Sequence, residues 1–176
     1  MTKIVSLVAA AVALAVVGVA LASSAKTVYT YKSAMTAGTE VPKPKAPATA
    51  KGLFTATVTE NGSTRTIQWK LTFSGLSGKA VAAHIHRGKA GVSGGVLLAL
   101  CGPCKTGQTG QAKISKDAAD ALERGLAYVN VHTTKNAAGE VRGQVKLVDQ
   151  APSTGTGPTT TTPDPTTTTP DPGYGY

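Results

Sequence analysis

The chain has 176 residues, 41% of them hydrophobic but only 5% aromatic, and its 18 Lys+Arg against 9 Asp+Glu give a formal net charge of +9. The basic residues are scattered (Lys32, Lys43, Lys51, Lys79, Arg87, Lys113) and the few aromatics are not interleaved with them, which excludes the basic footprint and stacking platform of a nucleic-acid binder. What such a charge does predict is a salt-sensitive attraction to anionic cell-wall or surface polymers, with extracellular proteins as the other class of partner.

At the N-terminus, Lys3 precedes an apolar run over residues 4–21 that only Ser6 and Gly18 relieve, and Ala20-Leu21-Ala22 and Ser23-Ser24-Ala25 follow. This is the pattern of a secretory signal peptide over residues 1–25, cut after Ala22 or Ala25. The run is near the lower limit of a membrane span, so an uncleaved anchor is the lesser alternative. The remainder is expected outside the cell, secreted or held at the surface, with no membrane span in the mature form.

Residues 27–149, about 120 in number, suffice for one core. A strand is expected over residues 28–34. Next, Phe54, Ala56 and Val58 alternate with threonines, and Ile67, Trp69, Leu71 and Phe73 alternate with Thr66, Gln68, Lys70 and Thr72. Glu60-Asn61-Gly62-Ser63 joins these two strands, and Asn-Gly is a strong hairpin signal. Asn61-Gly62-Ser63 is also a glycosylation sequon, but the turn explains it without a sugar. Further strands are expected at 80–86, 96–100, 110–115, 127–133 and 140–148. One segment has the helical period: Ser115 can cap a helix over residues 116–124, with Ala118, Ala121 and Leu122 on one face and Gly125 as the stop. The expected fold is therefore all-β, an antiparallel β-sandwich or barrel of immunoglobulin-like or superoxide-dismutase-like architecture with one short helix. From residue 150 to 176 periodicity is lost and "PTTTTPD" occurs twice; this reads as a disordered Thr/Pro-rich tail.

Cys101 and Cys104 are the only cysteines, in a Cys-Gly-Pro-Cys stretch that matches the core of a thioredoxin active site. That chemistry needs the first thiol at a helix start, where the dipole lowers its pKa. Here "KTGQTG" follows, and no helix can begin there. In an exported protein a Cys101–Cys104 disulfide is the simplest expectation, with redox catalysis and a joint Cys/His zinc site as alternatives.

The three histidines fall in two strands. His84 and His86 share one strand face, with Ala83 and Ile85 turned to the core, and Tyr128, Asn130 and His132 share another. Glu140, Arg142 and Gln144 alternate likewise in the last strand. If the three strands are neighbours, these faces merge into one patch. Three imidazoles converging from two strands suit zinc or copper rather than calcium. The alternatives are a hydrogen-bonded polar cluster that fixes strand register, or an anion site built on Arg142 and neutral histidines.

With these stretches in place, the chain resembles the chordin-type (CHRD) domain. "TAGTEVPKPKAPATAKG" (36–52) is similar to its opening, "AAHIHRGKAGVSGGV" (82–96) to its histidine motif, and "LERGLAYVNVHTTKNAAGEVRGQV" (122–145) to its closing motif. Ala137-Ala138 departs from the family, which more often has a proline before the glycine. The resemblance, over residues 28–147, implies an extracellular β-sandwich or barrel found in secreted bacterial proteins and animal chordins, with no established activity. The residues agree: there is no nucleophile elbow, and the carboxylates are too few and too dispersed for a hydrolytic pair. A binding or structural module is expected rather than an enzyme. The contrasting reading is a copper/zinc superoxide-dismutase-like oxidoreductase, suggested by "HIH" and the fold class; three histidines are too few to supply both of its metals.

Overall fold

The computed structural model describes residues 26–152; the expected signal peptide and the expected tail from residue 153 onward lie outside the described residues. The strands are β1 (Thr27–Thr36), β2 (Lys51–Asn61), β3 (Thr64–Ser74), β4 (Ala80–Arg87), β5 (Val96–Cys101), β6 (Gln108–Lys113), β7 (Ala127–Thr133), β8 (Val141–Gln144) and β9 (Lys146–Pro152). A 3-10 turn, Ala37–Thr39, follows β1, and the single α-helix among the described residues, α1, is Lys116–Glu123. The strands run in the order β5-β4-β7-β8-β1-β2-β3-β6, with β9 also on β1. Every pairing is antiparallel. This is the expected all-β architecture with one short helix.

The β2–β3 hairpin follows its sequence pattern. Asn61 pairs with Thr64, and Gly62 takes a φ of 58° that a side chain would strain. From that turn the register sets Val58 opposite Ile67, Ala56 opposite Trp69 and Phe54 opposite Leu71. All six are buried, whereas the intervening Gln68 and Lys70 are exposed. Ile85 on β4, Val129 and Val131 on β7 and Val141 on β8 face the same core. Full burial of such side chains stabilises the fold by about 1.5–3 kcal/mol each.

The helix also forms where expected. Ser115 Oγ accepts from the N–H of Ala118 at 3.1 Å, Ala118, Ala119, Ala121 and Leu122 are buried, and Gly125 at φ 67° lies beyond the end. The structure differs at the C-terminal strand. The expected strand over 140–148 breaks at Val145, whose side chain is fully buried and whose N–H donates to the Ala127 carbonyl. There the chain leaves β7 and crosses to β1, which thus has β8 against Thr36 and β9 against its first six residues. Because that pairing runs to Thr27, β9 continues to Pro152, past the boundary expected at 149. Alternation marks exposed and buried faces but not a change of partner.

Candidate metal centre

Strands β4, β7 and β8 are adjacent, and their register lays the polar side chains in rows. His84, Asn130 and Arg142 stand opposite one another in one row, His86, Tyr128 and Gln144 in the next, and His132 lies opposite Ala82. The small Ala82 leaves space beside His132, so the ring reaches His84. His84 Nδ1 lies 3.1 Å from His132 Nε2, and one nitrogen from each of the three rings can be chosen so that all lie within 4.8 Å of one another.

Two of the rings have their tautomer set from outside. His86 Nδ1 is 3.0 Å from the Gly94 carbonyl, and His132 Nδ1 is 2.9 Å from the Ala137 carbonyl. A carbonyl only accepts, so Nδ1 carries the proton in both rings and Nε2 presents a lone pair. His84 Nδ1 must then donate to His132 Nε2. His86 Nε2 is sealed from solvent and has no partner. Burial, and after it the charges of His132 and His86, push His84 below the usual histidine range. Burial likewise lowers His86, against the opposing pull of the Gly94 bond. The two rings are therefore neutral at pH 7, the form that ligates metals.

Tyr128 holds this arrangement. Its ring stacks on His86 with centroids 4.9 Å apart and planes inclined by 5°. Its hydroxyl accepts from the N–H of Gly94, the residue whose carbonyl fixes His86. The Arg142 guanidinium also lies over the Tyr128 ring, with Cζ 3.3 Å from the ring centroid. Its Nη2 donates to the carbonyls of Lys89 and Val92 at 3.1 and 2.8 Å. Arg142 thus straps down the glycine-rich loop that positions His86, and its charge helps to lower the pKa of that ring. Gln144 works beside it, its Nε2 donating to the carbonyls of Gly88, Gly125 and Ala127.

Glu140 is not part of the cluster that strict alternation gives it. It precedes β8, and its carboxylate accepts from the N–H and hydroxyl of Ser77, the hydroxyl of Thr133 and the amide of Asn136. Thr133 is a core-side residue of β7, one position past His132, so Glu140 staples the β7–β8 turn from the other face of the sheet. Burial alone would raise its pKa, but bonds from Thr133, Ser77 and Asn136 outweigh burial and hold it below the ordinary carboxylate range.

The acidic residue that does approach the site is Glu40, in the turn after β1. It is 4% exposed. Its Oε1 accepts from the N–H of Val41 at 3.0 Å, and its Oε2 is sealed without a partner. Burial raises its pKa, partly offset by Val41, Arg142 and Asn130. Gly139 packs so closely here that a Cβ would collide with the Glu40 carboxylate and crowd the Asn130 amide. The sequence signal was present, since Glu40-Val41-Pro42 holds the only acid between residues 26 and 59, but a loop has no periodicity to say where it points.

Cys101 and Cys104 are joined to each other, at the end of β5 and past it, and α1 begins only at Lys116. No helix follows the pair, and the cysteines take no part in the histidine cluster.

Comparison with known families completes the picture. The CHRD domain profile matches residues 31–145, about two thirds of the chain. The chain belongs to the CHRD domain family. Comparison with curated proteins and with solved structures returns no match. All three histidines and both cysteines of this CHRD domain lie inside the matched segment. No helix among its described residues is long and apolar enough to cross a membrane.

Proposed function

We propose that the chain is an exported CHRD module that holds one copper or zinc ion through His84, His86 and His132, and that it acts by binding rather than by turnover. The observation that carries this reading is the pair of backbone carbonyls, Gly94 and Ala137, that each take an Nδ1 proton and leave Nε2 unprotonated, with its lone pair turned into the cluster. Outer-shell acceptors of this kind orient metal-ligating histidines and raise their basicity. The third ring adapts: an ion held between His84 and His132 would take the place of their hydrogen bond, with the one ring proton of His84 moved from Nδ1 to Nε2. Three imidazoles with no carboxylate among them suit copper or zinc and disfavour calcium. The site has one group of three ligands, so a two-metal dismutase centre does not fit it. Export rests on the signal-like leader and on the family.

Calorimetry of the metal-stripped protein tests the reading. Copper or zinc should bind one per chain at pH 7.5 and at least tenfold more weakly at pH 5.5, because protons compete for the imidazoles. His84→Ala and His132→Ala should each abolish binding. Absence of binding at both pH values, or binding that survives both substitutions, leaves a polar network that fixes strand register.

A further inference from the structure

Asn130 stands in the middle of the histidine cluster. In the β4–β7 register it is opposite His84 and one row from His86, and on its own strand it precedes His132 by two residues. Its side chain therefore lies on the face that carries the three rings. It is buried, and its Oδ1 has no partner. His86 Nε2 and Glu40 Oε2 are likewise sealed and unpartnered, and Asn130 faces both residues.

Two observations fix which way the amide points. Gly139 leaves room for Glu40 and Asn130 to meet, and the amide atom that a Cβ there would crowd, at 2.9 Å, is Nδ2, beside the Glu40 carboxylate. Burial lowers the His86 pKa and raises that of Glu40, and Asn130 opposes both shifts. An amide favours an imidazolium with its oxygen and a carboxylate with its N–H. Nδ2 therefore faces Glu40, and Oδ1 faces the His86 ring. Because His86 Nδ1 is engaged with the Gly94 carbonyl, the ring nitrogen left for Oδ1 is Nε2.

Nε2 and Oδ1 thus each bring a lone pair, and neither brings a proton. Buried polar atoms are normally satisfied, so the pair needs a third party. Turning the amide over would satisfy Nε2 but set Oδ1 against the Glu40 carboxylate. Protonating Nε2 would satisfy Oδ1 but leave a buried imidazolium, which burial disfavours. A metal ion answers both lone pairs and draws on His84 and His132 as well. Resting on the reading of the three histidines as a metal site, we propose that Asn130 is the fourth ligand, through Oδ1, and that Glu40 is a positioning residue that aims the amide by taking Nδ2. Four protein ligands complete the tetrahedron that zinc takes in closed, structural sites, which accords with binding rather than turnover.

Zinc titration of the metal-stripped full chain at pH 7.5, read by calorimetry and by NMR of the Asn130 side chain, tests this. In the unsubstituted protein, zinc should shift the Asn130 side-chain carbonyl carbon and amide signals together with the histidine Nε2 signals. Asn130→Ala should weaken zinc binding at least tenfold, and Glu40→Ala, which frees the amide, by about tenfold. The double variant should bind no more weakly than Asn130→Ala alone, because Glu40 acts through the amide. The fourth ligand is overturned by zinc affinity unchanged in Asn130→Ala, or by histidine signals that move while those of Asn130 stay, either of which would mean a site of three histidines. Losses from Glu40→Ala and Asn130→Ala that simply add would overturn the role of Glu40. An unsubstituted chain that binds no zinc at all would instead overturn the metal reading itself, and this ligand with it. Circular dichroism of each variant separates lost binding from lost fold, and the NMR arm needs no variant.

Discussion

In the half of the sheet formed by β1, β2, β3 and β6, the outward face is water-facing: Lys32, Gln68, Lys70, Gln111 and Lys113 are exposed, and Gln68 merely reaches across to Gln111. In the half formed by β5, β4, β7 and β8, the corresponding face is equally polar but closed over, so that Asn130 and Arg142 are 2% and 1% exposed. Polar side chains that meet water need no further explanation. Polar side chains removed from water must be paired or must await a partner. Every buried unpartnered side-chain atom among the described residues lies on β4, β7, β8 or in the parts of β1 and its turn that face them. The two halves thus separate scaffold from site, and variants in each should fail in different ways.

The largest effects should come from the core and from its one charged staple. Leu71→Ala in the scaffold half should lower stability by about 3 kcal/mol. Glu140→Ala should lose a similar amount, about 3 kcal/mol, because Ser77, Thr133 and Asn136 are left without their acceptor. Chemical denaturation measures both. Metal binding under native conditions should survive Leu71→Ala and weaken in Glu140→Ala, whose turn carries the Ala137 carbonyl that orients His132. Equal behaviour of the two variants would erase the division.

Replacing both cysteines by serine should matter less. The closed ring is short, so the loop-entropy contribution is about 2 kcal/mol at most. The β signature by circular dichroism should be intact, and metal affinity unchanged, since the pair lies outside the histidine cluster. A collapse of the fold would mean that the β5 edge is more than a stapled margin.

The smallest effect is a dependence on pH with two separate windows. His84 and His86 have folded-state pKa values below the ordinary 6.5, so as pH falls through that value the unfolded chain takes up protons that the folded one refuses. Stability is fully present above about pH 6.5 and declines below it. Glu140 is held below its ordinary 4.5, so its contribution is present above that value and lost as pH falls further. Thermal melts of the metal-free protein from pH 7.5 to 3.5 should show two declines. The upper one should vanish in His84→Gln with His86→Gln, and the lower one in Glu140→Gln.

The halves also differ in how much of their structure is encoded locally in the sequence. Alternation from Phe54 to Val58 and from Ile67 to Phe73, with Asn61-Gly62 between, contains the hairpin and its register, because a period of two and a tight turn are local facts. Ser115 and Gly125 bound the helix for the same reason. The faces of β4 and β7 were legible too: His84 and His86 against Ala83 and Ile85, and Asn130 and His132 against Val129 and Val131. What periodicity could not give was the role of groups that act through loops and across strands. Nothing local says that Arg142 reaches over Tyr128 to the carbonyls of Lys89 and Val92. Nor does anything local turn Glu140 away from its alternating neighbours toward Ser77, or bring Glu40 in from a turn some ninety residues before its neighbour Asn130. Those placements depend on which strands meet, and the break at Val145 shows that even a continuous apolar rhythm can hide a change of partner.

On this reading the histidine lone pairs are set before any ion arrives. Nitrogen-15 NMR of the metal-free protein at pH 7.5, correlating ring nitrogens with ring protons, reads the tautomer of each histidine directly. His86 and His132 should both be Nδ1–H tautomers, and one equivalent of zinc should move their Nε2 resonances while the Nδ1–H signals persist. Nε2–H tautomers for these two rings, or zinc-induced shifts confined to other residues, would contradict it.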